Sequence, residues 1–213
     1  MIKGKQKVRD RILDVAEKII AENGYEGVSM REIVNRAKVN LATVYYYFDS
    51  KDGLLIATLE RRFGSIYKEQ KENLKVMQEA PEKYTLEQIL EALLLPPLKA
   101  AENNPSKAQI VRKLIGRIIF EHNKTCQEMM KRRYKDLRDG YLKLIHRTVP
   151  HLKEADLQWR IEFIFGAQSF LLIDPQKLEY MSNRICNSSD TKTALKQMIC
   201  FFSAGLRAPS VSE

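Results

Sequence analysis

Apolar residues recur along this chain at intervals of three and four over nearly its whole length, and no stretch alternates with period two. That spacing predicts helices and no sheet. Val8, Ile12, Val15 and Ile19 form one stripe, which Asn23-Gly24 ends in the manner of a helix C-cap. Ser29 and Glu32 carry the S-x-x-E spacing of a capping box, which predicts a short helix from Met30 burying Ile33, Val34 and Ala37. Val39 then fills a turn, and Asn40 is an N-cap for a second short helix. On that helix Leu41, Val44 and Phe48 share the core-facing side. Thr43, Tyr46 and Tyr47 point outward, and Tyr45 has a half-buried ring. Ser50 caps a long helix with Leu55, Leu59, Phe63 and Ile66 on its apolar stripe. It runs toward Met77, ends at Glu79-Ala80-Pro81, and can link the first three helices rigidly to a second domain.

The remainder reads as further helices. Thr85 and Gln88 cap one whose Leu93-Leu94-Leu95 run meets Pro96-Pro97, where missing backbone donors must kink or end it. Asn104-Pro105 opens the next, and Ile110 to Phe120, apolar on nearly all sides, predicts a central buried helix. Thr125 and Glu128 cap another, with Met130, Tyr134, Leu137, Tyr141 and Leu144 inward until Val149-Pro150. Two more cover about Lys153 to Ile173 and Asp190 to Leu206. The expectation is an all-α chain: a small head over residues 1–50 with a helix-turn-helix, and a larger helical bundle over 51–213.

Two short helices in this order, the second carrying three consecutive tyrosines, suit docking in a DNA major groove, because one face packs while hydroxyls and rings stay open. The N-termini at Ser29 and Asn40 also offer backbone N–H groups to phosphate oxygens. Taken by itself, a Y-Y-Y run equally suits core and interface packing. The residues between Arg9 and Leu55, however, resemble the TetR-family transcriptional regulators: N-G-Y at Asn23 to Tyr25, then S-M-R-E-I, A-x-V, T-V-Y-x-Y-F and S-K-D-x-L. The resemblance implies phosphate contacts at Thr43, Tyr45, Tyr47 and Lys51, with Leu41 and Tyr46 nearest the bases. It also implies a phosphate or base contact at Ser29 and Arg31, and Arg31 is the best placed to read sequence because arginine pairs bidentately with guanine. The chain departs from the family at Lys38, where glycine is usual in the turn, and at Ala42. Lys38 should then sit at positive φ at a cost on the order of 1 kcal/mol.

Charge sharpens this picture without deciding it. The chain carries +9, but residues 1–51 hold ten Lys and Arg against seven Asp and Glu, only +3. Lys3, Lys5, Lys7 and Arg9 are the dense part and suit a flexible positive arm lying along DNA. Residues 107–147 hold twelve against four, +8, which is either a solvated helix face or an anion site centred on Lys131 to Arg138. Cys126, Cys186 and Cys200 lack C-x-x-C spacing and read as reduced, buried thiols. No apolar run reaches about 18 residues, and no signal-peptide h-region precedes the first helix, so a cytoplasmic protein off the membrane is expected. His122, His146 and His151 have no metal-ligand spacing, there is no phosphate loop, and no acid and base pair asks for catalysis. No enzyme, metal or cofactor is expected.

The resulting expectation is a dimeric repressor of a palindromic DNA operator, since two heads gain affinity and palindromic selectivity. In the resembled family the last two long helices make the dimer, which points here to Trp159, Phe163, Ala167 and Phe170 with Leu195, Met198, Ile199 and Phe202. A small-molecule effector would release the DNA by shifting the head spacing. An apolar, acyl-type molecule suits a tunnel lined by Leu93, Leu94, Ile115, Ile118, Met130, Tyr134 and Tyr141, with Arg133 and Arg138 at its mouth. The N-L-A run at Asn40 to Ala42 and the segment PHLKEADLQWRIEFIFGA are similar to a subgroup tied to fatty-acid metabolism. The alternatives are that these apolar residues simply fill the core, and that the protein is an architectural DNA-binding dimer without a small-molecule switch.

Overall fold

The computed structural model describes residues 2–102, 112–114, 116, 124–187 and 189–211, and every regular element among them is helical. In chain order these are α1 (Ile2–Asn23), α2 (Met30–Ala37), α3 (Leu41–Phe48), α4 (Lys51–Glu79), a 3-10 turn (Pro81–Lys83), α5 (Leu86–Glu102), α6 (Lys124–Thr148), α7 (Glu154–Ile173), α8 (Pro175–Met181) and α9 (Thr191–Arg207). Of the expected helix over 110–120, residues 112–114 and 116 are described; they are helical, and Leu114 is fully buried. Ile115 and Ile118 lie outside the described residues. Helix α6 already includes Thr125, so that threonine is not its cap.

The chain forms two compact units, Met1–Ser65 with Ser106–Met130, and Ile66–Pro105 with Lys131–Glu213. The break therefore falls inside α4 and not at residue 50. The reason is packing: Leu54, Leu55, Ala57 and Leu59 of α4 belong to the same apolar cluster as Ile12, Leu13, Ala16 and Ile19 of α1. Gly24 closes α1 at φ 72°, with its N–H donating to Ile20 O at 2.9 Å. Helix α1 begins at Ile2, so the basic arm is a continuation of the helix and not a tail. Both Arg61 and Arg62 of α4 pair with Glu17 of α1, whose side chain is almost wholly buried. Arg61 also reaches Asp14 at 2.9 Å and Asp10 O at 3.3 Å.

In the second unit α5 packs against α7 and α9, and its two prolines do not end it. Proline has no N–H, so Pro96 and Pro97 leave the carbonyls four residues earlier, Ala92 and Leu93, without their helical donors. Side chains from other helices replace those donors. Gln70 Nε2 donates to Leu93 O at 2.8 Å and Asn73 Nδ2 to Ala92 O at 3.4 Å, while the Tyr141 hydroxyl, 3.3 Å from Ala92 O, has its closer acceptor in Gln70 O at 2.9 Å. The buried Gln168 donates to the next carbonyl, Leu94 O, at 2.9 Å. Burial pushes the Tyr141 hydroxyl well above its ordinary pKa, which keeps it a donor at all physiological pH. Thr85 and Gln88 cap α5 reciprocally, as their spacing predicts.

This arrangement makes a test of coupling between a proline and its substitute donor. Gln70→Leu should destabilise the chain by about 1–3 kcal/mol, because Leu93 O is then left unmet. In a Pro97→Ala background, where residue 97 regains an N–H for that carbonyl, the cost should fall below about 0.5 kcal/mol. Urea midpoints of the four chains give the coupling. Equal costs in the two backgrounds would rule the explanation out.

Candidate DNA-binding interface

Helix α2 starts at Met30 as its sequence predicts, but by a different device. Ser29 occupies the N-cap with no side-chain cap hydrogen bond, and Glu32 pairs with Arg36 one turn ahead at 2.7 Å. That i, i+4 ion pair competes with the reach back to Ser29. The Ser29 hydroxyl is exposed and left for other partners. Ile33 and Ala37 are fully buried, while Val34 and Val39 are partly buried against the same cluster. The turn closes through Lys38 at φ 50°, the left-handed conformation expected where glycine is usual, and Val39 N–H donates to Val34 O at 3.2 Å.

Asn40 caps α3 with its side chain, accepting from both the Thr43 N–H at 2.7 Å and the Thr43 hydroxyl at 2.6 Å. Val44 and Phe48 are buried, and Tyr46 stands 68% exposed. Tyr45 is 44% exposed and Leu41 43%. Leu41 thus does not face the core: side chains on a helix lean toward its N-terminus, and at the first position that direction leads past the end of α3 into solvent. The Tyr47 ring is partly buried and edge-on to Tyr46 at 5.1 Å, and its hydroxyl donates to Lys5 O at 3.1 Å. Tyr47 is therefore less outward than its spacing suggests. Arg31, at the open end of α2, is exposed and forms no ion pair among the described residues.

Helix α3 hands over to α4 through a tight turn. A Cβ on Gly53 would lie 1.9 Å from Phe48 O, so only glycine lets α4 start this close to the end of α3. Ser50 Oγ caps α4 by accepting from Gly53 N–H at 2.9 Å. Lys51 Nζ lies over the Tyr25 ring at 4.4 Å, and the Tyr25 hydroxyl bonds to Asp52. Tyr25 is a supporting residue that periodicity does not reveal; the N-G-Y triplet is its only signal. The candidate contacts Ser29, Arg31, Asn40, Leu41, Thr43, Tyr45, Tyr46 and Lys51 thus lie on one unit, at the two N-caps, on α2 and α3, and at the start of α4.

The other expected site residues divide between the two units. Leu93, Leu94, Tyr134 and Tyr141 pack in the apolar cluster of the second unit, whereas Met130 packs in that of the first. The Arg138 guanidinium is held by Gln158 and Glu162 at 2.7 and 2.9 Å, and that of Arg133 lies 5.9 Å from the centre of the Tyr67 ring. On α7, Trp159, Phe163, Ala167 and Phe170 are exposed, Trp159 at 66%. On α9, Leu195, Met198 and Phe202 form the inner face, with Leu206 continuing it, and Ile199 is partly buried beside them. Phe201 is the exposed aromatic of α9. Cys186 and Cys200 are exposed thiols, contrary to the burial expected of them, and the Cys126 side chain lies outside the described residues. Among the described residues no group of three or more His, Cys, Asp or Glu could hold a metal, and no helix is long and apolar enough to cross a membrane.

Comparison with known proteins agrees with this geometry. Residues 12–58 match the family described as bacterial regulatory proteins, tetR family, and residues 91–205 match the tetracyclin repressor-like C-terminal domain. The chain is 47% identical over 58 residues to the HTH-type transcriptional repressor KstR of Mycobacterium tuberculosis, 27% of this chain and 26% of that protein. It is 34% identical over 76 residues to the fatty acid metabolism regulator protein of Bacillus subtilis, 36% of this chain and 39% of the relative. These matches thus span well under half the length of either relative. The crystal structure of the transcriptional regulator FadR from Bacillus subtilis in complex with stearoyl-CoA superposes with a TM-score of 0.56 at 20% identity, covering 92% of this chain and 97% of that one. At that identity the likeness speaks for the fold.

The buried face of α3 can be tested directly. Val44→Asp or Phe48→Asp places a charge without a partner in the first unit's core, a substitution that costs several kcal/mol. Each variant should lose the melting transition of this unit in circular dichroism. A melt equal to the parent's would mean that the packed face lies elsewhere on the helix.

Proposed function

Because the chain belongs to the TetR family of bacterial regulatory proteins, we propose that it acts as a dimeric repressor on a palindromic operator, released by a small molecule. The observation that carries the DNA-binding part is the division of α3 into two faces, Val44 and Phe48 buried and Tyr46 open, beside an exposed Arg31. In a major groove Arg31 pairs with a guanine edge. Tyr46 and Leu41 lie against bases, and Ser29, Thr43, Tyr45 and Lys51 hold phosphates together with the N–H groups at Asn40. Arg31→Ala should leave the melt unchanged and weaken operator binding by about 1–3 kcal/mol, with little change on scrambled DNA. Anisotropy titrations of both duplexes read this out. Unchanged operator affinity would remove Arg31 from the interface.

The dimer rests on the exposed aromatic stripe of α7, with Trp159, Phe163 and Phe170 near helical spacing and Phe201 of α9 also uncovered. So much aromatic surface on one helix face points to protein–protein burial. Its α9 half is the outer face, Phe201, and not Leu195, Met198 and Phe202. Phe163→Lys with Phe170→Lys should yield monomers in sedimentation equilibrium, and a persistent dimer would move the interface off α7.

The effector we propose is acyl-type, an elongated apolar chain with an anionic head. The similarity of the chain to a fatty acid metabolism regulator and to the fold of a regulator crystallised with stearoyl-CoA supports it. Addition of long-chain acyl thioesters to the operator titration should restore free DNA and raise the melting temperature. Release by none of the fatty acids or acyl thioesters ends the acyl assignment, and operator binding that no small molecule relieves favours an architectural dimer.

A further inference from the structure

The last three residues of α3 each touch the first turns of α1. Lys5 Nζ stands 5.7 Å from the centre of the Tyr46 ring, the Tyr47 hydroxyl donates to Lys5 O at 3.1 Å, and the Arg9 guanidinium lies 5.5 Å from the Phe48 ring centre. Lys5 and Arg9 are four apart and so share one face of α1. A helix end frays unless something holds it, because its first N–H groups lack partners and few contacts oppose opening. Here the Tyr47 bond joins residues 42 apart in sequence, and a helical carbonyl retains a lone pair for it beside the one used by the helix.

We propose that Tyr47 is a positioning residue for a further DNA contact. Its hydroxyl holds the first turns of α1 against α3, so that the Lys5 ammonium, standing over the ring of Tyr46, meets a phosphate as a fixed part of the interface. The inference rests on the proposed DNA-binding function and assigns Tyr47 a role other than direct phosphate contact. A hydroxyl committed to a backbone carbonyl, on a ring partly buried against the core, is poorly placed for a phosphate oxygen. Lys5 is exposed, forms no ion pair among the described residues, and its ammonium sits beside Tyr46, the most exposed of the three tyrosines of α3. A cation held over a ring keeps its N–H donors available on the side away from it.

The two partners can be separated because Tyr47 binds the backbone of Lys5 and not its side chain. Lys5→Ala removes the charge and keeps the tether, whereas Tyr47→Phe removes the tether and keeps both the charge and the packed ring. Operator binding by the full chain is measured for the parent, both single variants and the double variant over a range of salt concentrations, with a melt of each. Loss of one phosphate contact lowers the slope of log K against log salt by about 0.9. Each single variant should lower it by about that amount and weaken binding several-fold, and the double variant should match either single one within about twofold. Losses that multiply in the double variant, or an unchanged slope in Tyr47→Phe, overturn the proposal and leave Tyr47 as an independent contact. A parent chain that binds no DNA overturns the DNA-binding reading itself and the proposal with it.

Discussion

An eight-residue helix has too few hydrogen bonds to stand alone in water, so α3 exists only because its apolar face is taken up by the rest of the first unit. Val44 and Phe48 supply that face, and burying two such side chains contributes roughly 3–6 kcal/mol before the entropy of ordering is counted. Everything the interface presents depends on this anchoring. Tyr46 and Leu41 are outward because Val44 and Phe48 are inward. Gly53 and the Ser50 cap then fix where α4 leaves, and Lys38 accepts left-handed geometry so that α2 and α3 can meet at all.

The second unit solves a different problem with the same economy of contacts. Two successive prolines in a buried helix would leave carbonyls stranded in an apolar core, where an unmet acceptor costs about 1–3 kcal/mol. Gln70 and Asn73 bring donors to the two stranded carbonyls from α4, and Gln168 of α7 bonds the next one, Leu94 O. The polar groups thereby specify how those helices pack around α5, since an amide bonded to a single carbonyl tolerates little sliding. A Leu-rich seam alone would tolerate more.

Helix positions, the capped starts at Asn40, Ser50 and Thr85, and the strained turn at Lys38 were legible because each depends on residues within a few positions of one another. What covers a stripe was not. Leu195, Met198 and Phe202 have the periodicity of an interface and turn out to face the chain's own core, because periodicity marks an apolar face without naming its partner. Likewise Glu32 had two possible local partners, Ser29 and Arg36, and spacing could not rank them. The Gln70 and Gln168 donors were out of reach for the same reason. The prolines announce two stranded carbonyls, but the amides that serve them sit 23 and 19 residues away, and Gln168 bonds the neighbouring Leu94 O from 74 residues away.

The charge of the first unit is organised so that placement matters more than quantity. Glu17 neutralises part of Arg61 and Arg62 in a nearly buried cluster, and Arg61 also engages Asp14, so these cations add little to the field that DNA would feel. Such a cluster is weak evidence for stability, because desolvation offsets much of the attraction, but it gives α1 and α4 one discrete way to fit together. Residues 1–51, which hold α1, α2 and α3, have a balance of only +3, so the nonspecific attraction of this stretch to the DNA polyanion is modest. In the proposed complex, affinity then comes from individual cations and hydroxyls held where phosphates and base edges lie. The proposed function thereby makes the rigidity of α1 against α3 and α4 part of the binding surface: a loosely held lysine forfeits in ordering entropy much of what its charge contributes on contact.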